Sequence, residues 1–395
     1  MYKKKEFINV LLLGSGTQLY AIVKDLAILG NKLFVVVSET GNYGDVSKYI
    51  CKRFVCNKPI GSDGYKDYVK HIVLSECISV VLPLGDAQAE FLSKNKDELK
   101  KIIHLQAPDY DAFLKGYDKN QLMNLCQKNS YPHPTTIDLS KIDYQDKSCF
   151  DNFPFPGLLK PNCTTGGRGM TLINNYEELF DKYPDVHKNY GDCHLQRFVR
   201  EGGKQVKIQL YVNEGGEIVA SSVLDKVRWY PIKGGASSCA ITTKNEEMVK
   251  ICYNILRELS WVGFADFDTI EDPDTGKLLI MEINPRLPAC IGASVFAGIN
   301  WGEILINGAL NKPQRTYYCK EGVTLRHFGF DILWFIHSPN RWKTKPSWFS
   351  LFGRNVFYQD FHFFDQKPFW VGTYHNIKKM SDPNFKKAKS GTSTF

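Results

Sequence analysis

The chain has 395 residues, enough for two or three domains, and its 43% hydrophobic share is ordinary for a globular protein. A formal charge of +8 without a basic run long enough to form an arm argues against a nucleic-acid partner, and fits a protein that handles anions such as nucleotides and carboxylates. No stretch approaches the ~20 apolar residues of a transmembrane segment, and eleven scattered cysteines give neither a zinc pattern nor a disulfide framework, so free thiols in a reducing cytoplasm are expected.

Lys3, Lys4 and Lys5 precede an apolar stretch, Val10 to Leu13, that is too short for a signal peptide and lacks a cleavage site. Residues 7–13 are predicted instead as a buried strand, followed by a glycine turn and a helix to Leu29, closed by Gly30-Asn31. Further buried strands are expected at 33–37 and 79–84, with a helix around 65–76 between them, an alternation that predicts a parallel α/β sheet. Gly14-Ser15-Gly16 opens like a dinucleotide fingerprint, but Leu19 stands where the third glycine belongs, so a tight strand-to-helix turn accounts for it better. This first domain ends near Pro108.

A helix from about 118 to 129 is stopped by Asn129-Ser130-Tyr131-Pro132. After a polar stretch, a strand at 157–160 enters the glycine-rich loop Thr165-Gly166-Gly167-Arg168-Gly169, with a second strand at 171–173 and a helix from Tyr176 to Tyr183. Strands are predicted at 193–199, 206–212 and 217–224, then an amphipathic helix at 246–260. Residues 262–270 and 277–284 read as a hairpin about Asp272-Pro273-Asp274-Thr275-Gly276, so this region is α+β with antiparallel strands. From 313 to 371 the chain is dense in Phe and Trp and poor in acids, and from about 378 it is rich in Lys and Ser and is expected to fray.

The acidic hairpin carries the clearest chemistry. Glu282 and Asn284, two apart on a strand, face the same way, and a closed hairpin brings Asp268 opposite them. Three oxygen donors on one face suit Mg²⁺, while a solvated polar face is the plainer alternative. Ile280, Met281 and Ile283 around Glu282 favour burial, and a buried acid needs a counter-charge. Lys160, at a strand end before Gly166, Gly167, Arg168 and Gly169, supplies a point charge and backbone N–H groups for phosphate oxygens; a simple glycine-rich hairpin explains it as well, and it is not a Walker A loop. Arg286 follows the acidic strand and suits a transferring phosphoryl group or a carboxylate, as do Lys226 and Arg228, unless these two line a solvated strand face. His133, between two prolines, reads as structural, and no nucleophilic triad is visible.

In this order the pieces resemble the ATP-grasp superfamily over about residues 8 to 312. Met281-Glu282-Ile283-Asn284-Pro285-Arg286 is similar to its Glu-x-Asn-Pro-Arg metal strand, and Gly263-Phe264-Ala265-Asp266-Phe267-Asp268 to the partner strand, with Asp268 at the first ligand position. Tyr117-Asp118-Lys119 resembles the start of the linker helix whose basic residue touches ATP, and Phe155 to Pro161 the strand with the phosphate-binding lysine, Lys160. Residues 166–169 resemble the mobile loop that closes over the phosphates. Leu195-Gln196-Arg197-Phe198-Val199 stands where a strand offers its backbone to adenine, which implies nucleotide contacts for Gln196 and Phe198. Asp225 to Pro231 is similar to a Lys-x-Arg-x-x-Pro segment of carboxylate–amine ligases of the D-aspartate ligase type, and the tail around Asp360 to Phe369 also resembles theirs. The chain departs from the family at Gln205, near the acid that usually holds the ribose, and at Gln196, where Glu is common.

The resemblance implies a Rossmann-like pre-ATP-grasp domain at 1–107, an ATP-grasp domain at 108–312, and an aromatic, basic C-terminal subdomain and tail at 313–395: α/β followed by α+β. It implies ATP and one or two Mg²⁺ ions, with Mn²⁺ as an alternative, held by Asp268, Glu282 and Asn284, and a small carboxylate and an amine as substrates joined through an acyl phosphate. A homodimer is compatible with such folds. Three other readings stay open: a carbamoyl-phosphate-synthase-like enzyme or carboxylase that phosphorylates bicarbonate, a catalytically weakened ATP sensor, and an NAD-dependent oxidoreductase resting on the first domain alone. The aromatic tail is either a subdomain packed on the grasp domain or a membrane- or glycan-lipid-facing surface.

Overall fold

The structure, a computed structural model, describes residues 8–164, 166–232 and 235–381. Lys3–Lys5, Phe7 at the head of the first expected strand, Thr165 of the glycine loop and the Lys- and Ser-rich sequence after 381 lie outside them. Three sheets organise the chain.

The first is parallel, in the order β3-β2-β1-β4, from β1 (Asn9–Leu13), β2 (Lys32–Val37), β3 (Ile50–Val55) and β4 (Val80–Pro83). β1 is buried almost throughout, as its apolar run predicts for a strand covered on both faces. The periodicity does not announce β3: Ile-Cys-Lys-Arg-Phe-Val is mostly exposed, as suits an edge strand carrying charge. The helices Asp86–Lys94 and Tyr110–Tyr117 were likewise not expected from the pattern.

The second sheet is antiparallel, in the order β5-β8-β6-β7: β5 (Thr136–Asp138), β6 (Gly157–Pro161), β7 (Thr171–Ile173) and β8 (Cys193–Arg197). Its helix runs from Tyr176 to Tyr190, through Pro184, rather than stopping at Tyr183. Asn175 caps the start by accepting from Glu178 N–H.

The third and largest sheet runs β13-β12-β9-β10-β11-β15-β16: β9 (Gln205–Val212), β10 (Ile218–Tyr230), β11 (Ala236–Thr243), β12 (Gly263–Glu271), β13 (Leu278–Asn284), with β14 (Tyr317–Tyr318) beside β10, then β15 (Thr324–Arg326) and β16 (Val356–Tyr358). One face of β9, β12 and β13 is apolar: Val206, Ile208, Leu210, Ala265, Phe267, Ile280 and Ile283 pack with Cys252, Ile255 and Leu256 of the helix Glu246–Glu258. The C-terminal segment continues this sheet, because β15 pairs with β11 and β16 with β15. All eleven cysteines are free. Among the described residues no single helix is long and apolar enough to cross a membrane.

Candidate functional site

Strand alternation turns the polar residues of four neighbouring strands onto the face opposite that core. Opposite residues share a face, and the register pairs Asp266 with Asn284, Asp268 with Glu282, Asp268 with Lys207, Asp266 with Gln209 and Lys226 with Gln205. Asp268, Glu282 and Asn284 therefore do come together.

Two charged residues that the sequence reading passed over sit among them. Lys207 Nζ lies 2.7 Å from Asp266 and 2.6 Å from Asp268. Asp266 is fully buried, and one of its oxygens has no hydrogen-bond partner. Burial pushes its carboxyl up to about 6 against the pull of Lys207. Burial also opposes ionisation of Asp268, but Lys207 and Lys226 outweigh it and hold that carboxyl below the usual range. Asp266 stands two residues before Asp268, so alternation alone could have flagged it. Lys207 emerges only from the β9–β12 register.

Asn284 donates its amide to Asp268 at 3.2 Å, while its oxygen faces Arg286 Nη2 at 3.4 Å. An amide flip would turn that oxygen toward the acids. Arg286 is itself held by Asp86 at 3.1 Å, so the N-terminus of the helix Asp86–Lys94 reaches the site from the first sheet's side. Among the described residues no group of three or more His, Cys, Asp or Glu forms a metal site by itself.

The second sheet approaches through two lysines. Lys119, first residue of the helix Lys119–Lys128, lies 3.3 Å from Glu282 and donates to Thr164 O at 2.7 Å, at the mouth of the glycine loop. Lys160, on β6, is buried and donates to Gln196 Oε1 at 2.6 Å across the β6–β8 pair. Burial lowers its ammonium to about 8, with Glu282 supporting the charge and Lys119 opposing it. Gly166, Gly167 and Gly169 have φ of +66°, +71° and +75°, which side-chain-bearing residues adopt at a cost. A Cβ on Gly169 would meet Pro161 and Tyr190 at 2.8 Å, so only glycine brings the loop back against its strand. Thr164 Oγ1 donates to the Arg168 carbonyl at 3.1 Å across the loop.

The two glutamines are bound inside the fold. Gln196 is buried between Lys160 and Thr136, and Gln205 accepts from Lys226 Nζ at 2.7 Å. Phe198 N–H is committed to Pro156 O at 2.9 Å. Burial lowers the Lys226 ammonium, with Asp268 opposing that shift.

Arg228 is not brought to the acids, contrary to the sequence expectation. It is 1% exposed and clamps Asp331 with two bonds, Nε to Oδ1 at 2.7 Å and Nη2 to Oδ2 at 3.0 Å. A break in the β10–β11 register between Lys226 and Arg228 separates the two residues. A guanidinium paired bidentately in the interior is spent on holding the C-terminal segment.

The family model described as "Carbamoyl-phosphate synthase L chain, ATP binding domain" matches residues 118–295. The chain is 23% identical over 272 residues to a D-aspartate ligase of Enterococcus faecium (strain Aus0004), covering 64% of this chain and 62% of that protein. It is 20% identical over 218 residues to the C-terminal section of a carbamoyl phosphate synthase large chain from Methanopyrus kandleri, covering 53% and 37%. The chain thus spans less than two thirds of either relative. Among solved structures, it matches the biotin carboxylase domain dimer of Hydrogenobacter thermophilus 2-oxoglutarate carboxylase, in complex with MgADP, ADP and bicarbonate. That match has a TM-score of 0.64 and 16% identity, over 79% of this chain and 71% of that one.

Proposed function

Because this chain carries an ATP-grasp domain across residues 118–295, we propose that it is an Mg-ATP-dependent ligase that activates a carboxylate as an acyl phosphate and joins it to an amine. The observation that carries this reading is one sheet face bearing Asp268, Glu282 and Asn284, approached by Lys119 and bordered by Lys160. On this reading residues 1–107 precede the grasp domain of 108–312, and 313–395 close it.

The donor set fits a hard divalent cation. Two carboxylates and an amide oxygen are too few to enclose one, which suits Mg²⁺, an ion held by a few carboxylates and completed by substrate phosphates and water. When bound, the ion would offset phosphate charge as the phosphoryl group transfers. The chain's own residues supply the rest. Lys160 and Lys119 hold phosphate oxygens, and the 166–169 loop closes over them and excludes water, which would otherwise hydrolyse the acyl phosphate. The backbone of residues 196–199 borders the base, and Gln205 lies toward the ribose. Arg286 and Lys226 steady the substrate carboxylate as it takes the γ-phosphoryl group from ATP. The amine then displaces phosphate. Arg228 takes no part.

Phosphate release from Mg-ATP, across a panel of amino acids and sugar acids with and without amines, tests this. Release that needs one carboxylate and one amine is expected, and Glu282→Gln should reduce it by about 10²-fold or more. Normal turnover in that variant would sink the assignment. The fold likeness to a carboxylase domain keeps bicarbonate as the second reading, and ADP release needing bicarbonate alone would select it.

A further inference from the structure

The segment from Phe328 to Lys378 buries all of its acids and exposes most of its cations and several of its aromatics. Its three carboxylates are interior: Asp331 between Arg228 and Arg326, Asp360 beside His327 at 3.0 Å, and Asp365 against Ser47 at 2.5 Å. Lys343, Lys345, Arg354, Lys367 and Lys378 are all exposed, so the segment's surface charge is of one sign. The sequence beyond adds Lys386, Lys387 and Lys389.

The same segment carries an apolar strip. The helix Phe328–His337 turns Asp331 and Trp334 inward and leaves Phe328, Ile332 and Ile336, spaced four apart, on its outer side. At its N-terminal end Phe328 meets Phe369, which meets Trp370, itself 66% exposed. At its other end Phe335, Trp342 and Phe349 lie within 6 Å of one another, ring centre to ring centre, with Trp342 71% exposed. Phe352, nearby in sequence, is 87% exposed. An apolar surface of this kind marks an interaction site.

We propose that this strip docks the protein on an anionic lipid bilayer, with the aromatic side chains at headgroup depth and the surrounding lysines and arginines facing anionic headgroups. Two features choose this occupant. Trp and Phe beside Lys and Arg are the residues favoured at a bilayer interface, where an apolar face enters and cations stay at the charged surface. A second copy meeting the same strip about a two-fold axis would bring these cations against each other. The inference is independent of the ligase reading, since none of these side chains belongs to the acid face.

Flotation of the full chain with vesicles of phosphatidylcholine, alone or with about 30% phosphatidylglycerol, tests it. Binding is expected to the anionic vesicles and to fall as salt is raised. The triple variant Trp342→Ala/Phe349→Ala/Phe352→Ala should weaken it by about tenfold or more, and Lys343→Glu/Lys345→Glu should do so with the aromatics intact. Both sets are largely exposed, and circular dichroism checks that each variant folds. Absence of flotation with anionic vesicles overturns the proposal. So does a dimer in solution that the triple variant abolishes, because a second copy would then cover the strip.

Discussion

The Lys207 ammonium lies 2.6 Å from the Asp268 carboxylate, in the middle of the face that also carries Glu282 and Asn284. A fixed cation inside an acid cluster holds the Asp268 carboxylate ionised against its burial. Asp266, on its other side, is wholly buried, so removing the lysine strands its negative charge.

Lys207→Gln should therefore cost about 3–5 kcal/mol of stability. Part of that loss should return with millimolar Mg²⁺, which can stand in for the missing charge. Urea unfolding with and without the ion measures both effects. A variant as stable as the parent would mean that the acids are compensated elsewhere.

Burial lowers the Lys160 ammonium to about 8 from an ordinary 10.5. The unfolded chain holds that proton more tightly, so the buried charge opposes folding at all pH values below about 8. The penalty lifts as pH rises from there toward the unfolded value. Lys160→Met should thus be more stable than the parent at pH 7, by roughly 1–3 kcal/mol, with the gap closing toward pH 10. Unfolding midpoints across that range check it, and a gap that widens with pH contradicts it.

The same lysine should shape catalysis. Its charge is lost as pH rises through about 8, so kcat/KM for ATP should fall there. Gln196→Glu places a carboxylate where Oε1 now accepts from Nζ at 2.6 Å. That should move the falling limb upward by about one unit or more. An unmoved limb would assign the titration to another group.

How much of this was readable beforehand depended on sequence distance. Glu282 and Asn284 are two residues apart, and a short turn between expected strands brings Asp268 opposite, so alternation and one hairpin are enough. Asp266 carries the same two-residue signal relative to Asp268, so alternation reaches it too. Lys207 was invisible because its role depends on which strand lies beside β12, and β9 is separated from it by two further strands and a helix. The partner of Arg228 stands at position 331, in a segment whose strands join the far side of the sheet, so no local pattern could pair them. β3 escaped because an exposed edge strand has no apolar period to read.

The pairing of Arg228 with Asp331 has its own test. Arg228→Met leaves Asp331 with Arg326 as its one remaining charge partner, beside the Ser238 hydroxyl at 3.4 Å, and should cost about 3–5 kcal/mol. The nucleotide Kd of the folded protein should stay within about threefold of the parent's, because Arg228 does not face the acids. Titration calorimetry below the unfolding temperature reads this directly, and a Kd raised tenfold would return Arg228 to the site.

Tyr20 lies in the first helix, yet its hydroxyl donates to the Asp365 carbonyl, accepts from the His362 backbone at 3.0 Å, and its ring stacks on His362 at 4.1 Å. Ser47 likewise finds its partner in Asp365. A ribosome making this chain delivers Tyr20 more than three hundred residues before those partners exist. The first sheet can form early, but the surface around Tyr20 and Ser47 stays unsealed until residues 362–365 have been synthesised. Nascent chains stopped short of Asp365 should then be cut by protease within the first domain at sites the finished protein conceals.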